Sequence, residues 1–200
     1  MKILKSMFLT ALILSLFLKY NTSFSNDKSD GYNVGDKVSD FTISNYDGTT
    51  YTLSNSGAKA TVIIFMSTEC PFVQPYTDRL ISLNKEFSSK GIVIWGMNSN
   101  KTEPVEEVKN HANDRQYNFP VLKDNDNLVA NQLGAVRTPE VFVVDNSTMT
   151  LIYHGRIDDN KEADKVTSND LQNALNDFLA GNNIAVNQTK AFGCSIKKVN

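Results

Sequence analysis

The sequence predicts an α/β domain in which a central mixed sheet is flanked by helices and preceded by a β-hairpin extension. Strand-like segments alternate with segments of helical periodicity between residues 60 and 144, which is typical of parallel strands joined by helices. Two strand-like segments then follow one another directly, which adds an antiparallel part to the sheet. A turn signal between two short strands near residue 47 predicts the hairpin.

The hairpin and the first central strand come from residues 41–66. Residues 41–43 and 50–53 are strand-like and flank a turn that contains Asp47-Gly48, a strong hairpin signal. Residues 60–66 form a β-branched apolar run, which indicates a strand that is buried on both faces. We therefore expect this strand in the middle of the sheet.

Helical periodicity predicts the first long helix directly after this strand. Apolar residues recur along one face at Phe72, Tyr76, Leu80, Leu83 and Phe87. The later elements are expected as a strand at 92–95, a helix around 105–112, a strand at 119–122, a short helix at 128–133, strands at 141–144 and 151–153, and a helix at 171–179. Gly181 is placed to end the last helix.

The N-terminal segment has the composition of a secretory signal. Lys2 and Lys5 precede an apolar stretch at 7–18, and Ser23 and Ser25 form a small-residue cleavage site. A retained membrane anchor is the alternative, because short apolar segments are ambiguous. We expect residues 1–25 to be a signal peptide, 26–33 a flexible lead-in, 34–181 the domain and 182–200 a C-terminal tail. The expected location is the bacterial periplasm or the extracellular space.

The charge balance argues against a nucleic-acid partner. The chain has 20 Lys and Arg residues and 22 Asp and Glu residues. Removal of residues 1–25 takes away three lysines and no acids, which leaves 17 basic and 22 acidic residues and a formal charge of −5. The sequence shows no basic stripe. We expect no nucleic-acid partner, and no membrane association once the signal is cleaved.

Cys70 is the residue that most strongly suggests chemistry. It follows the buried strand and directly precedes the first predicted helix, with Pro71 suited to the helix start. A helix N-terminus stabilises a thiolate, which is the nucleophile in disulfide exchange and in attack on peroxide. Glu69 opposes this effect, because a nearby carboxylate disfavours the thiolate. The alternative is that Cys70 is a small buried apolar residue.

The chain has only two cysteines, Cys70 and Cys194, and they do not form a Cys-x-x-Cys motif. The positions three residues before and after Cys70 hold Ser67 and Val73. A fast dithiol reductase needs a nearby resolving thiol, and Cys194 is the remaining candidate. Cys194 is either this resolving cysteine or a structural thiol, and the sequence does not decide whether the two sulfurs meet.

Neither a metal nor an organic cofactor is predicted. His111 and His154 are the two histidines, and they fall in different elements with no ligand spacing around them. A copper carrier that binds its metal through a Cys-x-x-x-Cys motif needs a second cysteine four residues after Cys70, and this chain has Gln74 there. No glycine-rich phosphate loop is present.

Several segments, in their order along the chain, resemble the redoxins of the alkyl hydroperoxide reductase/thiol-specific antioxidant family. These segments are Val34-Gly35-Asp36, Asp40-Phe41, Asp47-Gly48, and residues 61–73 and 134–145. Residues 153–160 and 189–197 are similar to an exported, peroxiredoxin-like subgroup. The resemblance covers residues 34–198. It implies a thioredoxin-like fold with Cys70 at the position of the reactive cysteine.

The resemblance also shows departures from the peroxiredoxin pattern. A peroxiredoxin has proline seven residues and threonine three residues before its reactive cysteine, where this chain has Ile63 and Ser67. The position of the peroxide-binding arginine falls on Pro139, and Arg137 lies two residues away. Members of the exported subgroup often have cysteine where this chain has Ser67. Both the peroxidase and the dithiol constellations are therefore incomplete.

We expect a thiol-dependent oxidoreductase in which Cys70 attacks a disulfide or a hydroperoxide. Cys194 or an external small thiol would resolve the product, and a thiol reductant protein is a further candidate partner. Ser67 would hydrogen-bond the thiolate or substrate, Pro139 would form the opposite wall, and Arg137 would assist electrostatically.

The alternative is a redox-inactive binding protein with structural cysteines, since a fold does not establish a function. A copper chaperone is a third option. An exposed Cys70 sulfur would favour the enzyme, and a buried one would reject it in favour of the binding protein.

Overall fold

The computed structural model describes residues 31–199. The predicted signal peptide and residues 26–30 of the lead-in lie outside the described residues. The strands are β1 (Thr42–Ser44), β2 (Thr50–Thr52), β3 (Ala60–Phe65), β4 (Ile92–Asn98), β5 (Val121–Lys123), β6 (Arg137–Thr138), β7 (Glu140–Asp145), β8 (Thr150–Gly155) and β9 (Cys194–Ser195). The α-helices are α1 (Thr77–Ser88), α2 (Val105–Asp114), α3 (Leu128–Leu133) and α4 (Asp170–Leu179).

The central sheet has five strands in the order β5-β4-β3-β7-β8. Strands β3, β4 and β5 are parallel, and β7 and β8 are antiparallel to their neighbours. All six residues of β3 are buried, as the apolar run predicts. Strands β1 and β2 form a separate antiparallel hairpin. The predicted mixed sheet with an N-terminal hairpin is confirmed.

Two apolar cores cover the two faces of the sheet, because successive side chains of a strand point to opposite sides. Val62 and Ile64 of β3 pack in the core that contains residues of α1, α2 and α4. Ile63 and Phe65 pack in the core that contains residues of α3, together with Trp95. Full burial of such a side chain contributes about 1.5–3 kcal/mol, so both helical layers stabilise the sheet.

The start of the first helix differs from the prediction. Residues 71–73 form turns, Gln74–Tyr76 form a 3₁₀ turn, and α1 begins only at Thr77. Pro75 has no backbone N–H and disfavours α geometry in the residue before it, so the α-helix cannot extend back through this segment. Cys70 is thus separated from α1, and the prediction that it directly precedes the helix is wrong.

The C-terminal tail packs back onto the domain. It runs beside β8, where the His154 N–H donates to the Asn187 carbonyl and the Thr189 N–H donates to the His154 carbonyl. Strand β9 then pairs with β6, and Ile196 enters the second core. Because these bonds join distant segments, the tail is held by tertiary contacts and not by a helix or long strand of its own. In the described range, no helix has the length and apolar character needed to cross a bilayer.

Candidate active site

The two cysteines meet in the folded chain although 124 residues separate them. The Sγ atoms of Cys70 and Cys194 lie 2.6 Å apart, and both residues are free thiols. A disulfide needs a distance of about 2.0 Å between its sulfurs, so this pair is within reach of a bond. The question that the sequence leaves open, whether the sulfurs meet, is therefore answered by the fold.

Short strand pairing brings Cys194 to Cys70. Thr138 of β6 lies opposite Cys194 of β9 in the antiparallel ladder. The Thr138 carbonyl oxygen accepts a hydrogen bond from the Cys70 thiol at 3.2 Å. The Thr138-Pro139 peptide bond is cis. Thr138 therefore contacts both cysteine segments, while Pro139 lies beside it at the start of β7.

Cys70 is almost completely enclosed. It is 2% exposed, whereas Cys194, which it contacts, is half-buried. By the exposure criterion, this burial counts against an enzyme that uses Cys70 while the Cys194 segment is in place. Cys194 is therefore the more exposed residue of the pair.

The two thiols differ in how readily they ionise. Burial on its own raises the pKa of Cys70, but hydrogen bonds from the Cys194 thiol and from the Phe72 N–H outweigh it, and the pKa is lowered. Burial, together with the neighbouring Cys70 sulfur, raises the pKa of Cys194 to about 11. The opposite directions of these two pKa shifts favour ionisation of Cys70 over ionisation of Cys194.

A cavity of about 220 Å³ lies beside the cysteine pair. Its lining includes both sulfur-bearing residues and, from other segments, Ser67, Asn100, Glu103 and Lys197. A cavity of this size admits a small molecule beside the sulfurs.

Ser67 and Arg137 form hydrogen bonds to residues other than the two cysteines. The Ser67 hydroxyl donates to Oε1 of Glu103 at 2.5 Å, so its proton is directed away from the thiolate. The exposed Arg137 places Nη1 3.5 Å from the Gly193 carbonyl oxygen, and its backbone N–H donates to Glu140. Both remain candidates near the site, but the predicted hydrogen bond from Ser67 to the Cys70 thiolate is absent from this arrangement of the described residues.

Sequence reasoning missed the buried carboxylate of Glu103. Oε1 accepts hydrogen bonds from Ser67 and from Nδ2 of Asn100, the latter at 2.8 Å. Oε2 accepts the Thr68 N–H at 2.8 Å and Nδ2 of Asn98 at 2.5 Å. Burial raises the pKa of Glu103, but the hydrogen bonds from Ser67, Thr68 and Asn98 outweigh it and lower the pKa. The side chain is therefore a buried, ionised group with four donors.

This carboxylate belongs to a polar network at the carboxyl ends of β4 and β5. The buried Lys123 ammonium donates to Oδ1 of Asn98 at 2.9 Å and to the Asn100 carbonyl at 2.6 Å. Burial lowers the pKa of Lys123. The run Asn98-Ser99-Asn100 after a buried strand is the signal that could have found this network, since sites gather at this edge of α/β sheets.

The chain matches a known protein family over most of the described fold. The model of the AhpC/TSA family matches residues 34–152. The chain belongs to the AhpC/TSA family. A search of curated proteins found no match to this chain.

Solved structures add two similar chains and a more distant fold relative. A hypothetical protein from Sinorhizobium meliloti is 30% identical, with a TM-score of 0.77 over 86% of this chain and 97% of its own. An uncharacterised conserved protein from Geobacillus kaustophilus is 30% identical, with a TM-score of 0.76 over 84% and 94%. The thioredoxin domain of a thiol-disulfide oxidoreductase from Bacteroides vulgatus is 17% identical, with a TM-score of 0.60 over 74% and 99%. The fold is thioredoxin-like.

The histidines of this AhpC/TSA-family chain lie outside the cysteine pair's contacts. Nε2 of His111 lies 3.2 Å from Oε1 of Gln74, and Nε2 of His154 lies 2.8 Å from Oε1 of Glu140. Across residues 31–199, no group of three or more His, Cys, Asp or Glu side chains is arranged to hold a metal ion.

Proposed function

We propose that this protein is an exported thiol-dependent oxidoreductase in which Cys70 is the nucleophile and Cys194 is the resolving thiol. The observation that carries the proposal is the 2.6 Å distance between their sulfurs. Once an oxidant has converted one of two sulfurs held this close to a sulfenic acid or a mixed disulfide, its neighbour attacks it far faster than a thiol in solution does. The lowered pKa of Cys70 and the raised pKa of Cys194 favour this assignment of roles.

With a hydroperoxide, the Cys70 thiolate attacks the terminal oxygen and breaks the O–O bond. The leaving alkoxide takes up a proton and departs as an alcohol or as water, and Cys70 becomes a sulfenic acid. The Cys194 thiol then attacks the Cys70 sulfur, which releases water and forms the disulfide. The hydroperoxide is reduced by two electrons and the two thiols are oxidised by two.

With a disulfide substrate, the Cys70 thiolate forms a mixed disulfide and releases one thiolate. Cys194, once deprotonated, attacks the Cys70 sulfur of this mixed disulfide and releases the second thiol. An external small thiol or a thiol reductant protein returns the enzyme to the dithiol form. A small hydroperoxide fits the 220 Å³ cavity, whereas a protein disulfide requires the Cys194 segment to move away from Cys70.

Membership of the AhpC/TSA family supports the redox class. The Bacteroides vulgatus protein is described as a thiol-disulfide oxidoreductase, although its identity of 17% carries only the fold. The basic and apolar N-terminal segment supports export to an oxidising compartment such as the periplasm, where disulfide chemistry operates.

A redox-inactive binding protein with structural cysteines is the second candidate. The observation that favours it is the 2% exposure of Cys70. In that case the sulfur pair would form a static bond that stabilises the C-terminal segment.

The deciding experiment treats the reduced protein with one equivalent of hydrogen peroxide or of glutathione disulfide. An oxidoreductase consumes either oxidant rapidly and loses two hydrogen atoms in the mass spectrum, and excess dithiothreitol sustains turnover. Cys194→Ser should accumulate a Cys70 sulfenic acid with peroxide, and Cys70→Ser should not react. Oxidation no faster than that of Cys70→Ser would reject the enzyme and favour the static pair.

A further inference from the structure

We propose that Glu103, acting through Asn100, is a positioning residue that holds the Cys70 loop and the Cys194 segment in register for formation of their disulfide. The proposal rests on the function proposed above, because it concerns how that cysteine pair is held together. The structure shows one continuous chain of hydrogen bonds from the residues before Cys70 to the residues after Cys194.

On the Cys70 side, both oxygens of Glu103 hold the loop. Oε1 accepts from the Ser67 hydroxyl at 2.5 Å and Oε2 accepts from the Thr68 N–H at 2.8 Å. These donors stand three and two residues before Cys70. Since Glu103 is 1% exposed, water cannot readily replace either bond.

On the Cys194 side, the Asn100 amide makes the connection. Its Nδ2 donates to Oε1 of Glu103 at 2.8 Å, and its Oδ1 accepts the Lys197 N–H at 2.7 Å. The Lys197 carbonyl accepts the Lys101 N–H at 2.8 Å. Lys197 stands three residues after Cys194, so the segment that carries the second sulfur is held from the same carboxylate.

The geometry requires both side-chain oxygens at position 103 to accept hydrogen bonds. Its four partners all donate, and two of them have a fixed orientation. The Thr68 N–H belongs to the backbone, and the Asn100 amide cannot turn over without losing its bond to Lys197. In Glu103→Gln, the new NH₂ group would face one of these donors in either rotamer. The substitution therefore releases the Cys70 loop or the Cys194 segment while it preserves side-chain size.

The test measures the equilibrium between the protein dithiol and a reference disulfide. Reduced protein and oxidised dithiothreitol exchange two electrons and two protons to give the Cys70–Cys194 disulfide and reduced dithiothreitol. We expect Glu103→Gln and Asn100→Ala each to lower this equilibrium constant at least about tenfold, equivalent to about 1.4 kcal/mol. The matched control is Glu106→Gln, because Glu106 lies on the exposed side of α2 and pairs with Lys109. It should leave the constant unchanged.

The equilibrium constant separates positioning from stability. A merely structural role for Glu103 would destabilise the reduced and oxidised proteins equally and leave the constant at its wild-type value, which would overturn the proposal. If Glu103→Gln does not fold, the same comparison with Asn100→Ala decides. If the wild-type protein forms no disulfide, the proposed function fails together with the inference; a wild-type disulfide with unchanged variants rejects the inference alone.

Discussion

Gly193 lies so close to Thr138 that a Cβ atom at position 193 would stand 2.0 Å from the Thr138 carbonyl oxygen. The backbone of Gly193 also has a φ of +143°, a conformation that other residues rarely adopt. The same carbonyl accepts the Cys70 thiol, and Cys194 follows Gly193 directly. The missing side chain at position 193 therefore allows the two sulfurs to approach.

Gly193→Ala should separate the sulfurs. The new methyl group has to move the Cys194 segment away from β6, so we expect disulfide formation in the reduced protein to slow at least about tenfold. The rate is measured by quenching oxidation with an alkylating reagent. Gly181→Ala is the matched control, because Gly181 has a φ of +72° but open space around it. Equal rates in wild type and Gly193→Ala would contradict the close approach.

Cys70→Ala should lower the pKa of Cys194. The present value of about 11 arises from burial and from the adjacent Cys70 sulfur, and the substitution removes that sulfur. We expect the pKa to fall by about one unit or more. The measurement is the pH dependence of alkylation at Cys194, with Ser195→Ala as the control that leaves the pair intact. A titration of Cys194 that still centres near 11 in Cys70→Ala would show that its neighbour does not set the value.

The contribution of Glu103 to stability should disappear in acid. Its folded pKa is lowered, so the unfolded chain binds the proton more readily and stability is lost as the pH falls below about 4.5 toward the folded pKa. At neutral pH, Glu103→Gln should destabilise the protein by about 1.5–3 kcal/mol, and this gap should narrow on acidification. Urea unfolding at several pH values gives the result, with Glu106→Gln as the exposed control. A difference in unfolding free energy between wild type and Glu103→Gln that does not change with pH would show that the ionised carboxylate is not the source of this stability.

Ser67→Ala should lower the free energy of unfolding and have little effect on ionisation of the Cys70 thiol. Its hydroxyl donates to the Glu103 carboxylate, and loss of a hydrogen bond to a buried charge costs about 1.5–3 kcal/mol. The pH dependence of Cys70 alkylation should stay close to that of the wild type. Chemical unfolding and alkylation are measured on the same sample, with the exposed Ser195→Ala as control. A large rise in the pKa of Cys70 would instead show that Ser67 serves the thiolate.

Local patterns predict most of the elements. The Asp47-Gly48 turn, the apolar run of β3 and the periodicity of α4 each depend on neighbouring residues, and the structure has these elements at the expected places. The start of α1 differs from the prediction. The apolar spacing continues through the residues before Thr77, but Pro75 keeps that segment out of the α-helix. A backbone constraint there outweighs the side-chain pattern.

The hydrogen-bond partner of Ser67 is a feature of the site that the sequence does not predict. The sequence predicts Ser67 near Cys70 because it stands three positions before it, and both residues line the same cavity. Its hydroxyl nevertheless binds Glu103, which lies 36 residues away along the chain. Hydrogen-bond partners across elements depend on how the ends of β3 and β4 are aligned, and no local spacing encodes that alignment.

The sequence by itself determined the class of sheet, the family and the cysteine at the end of the central strand. Only the tertiary structure decided that Cys194 stands against Cys70 and that Glu103 joins their two segments. The tail that carries Cys194 has no periodicity, and pairing with the two residues of β6, the space at Gly193 and the bond from Lys197 to Asn100 hold it in place. Such contacts between distant residues exist only after the chain has closed its long loops, because no interaction between neighbours along the chain anticipates them.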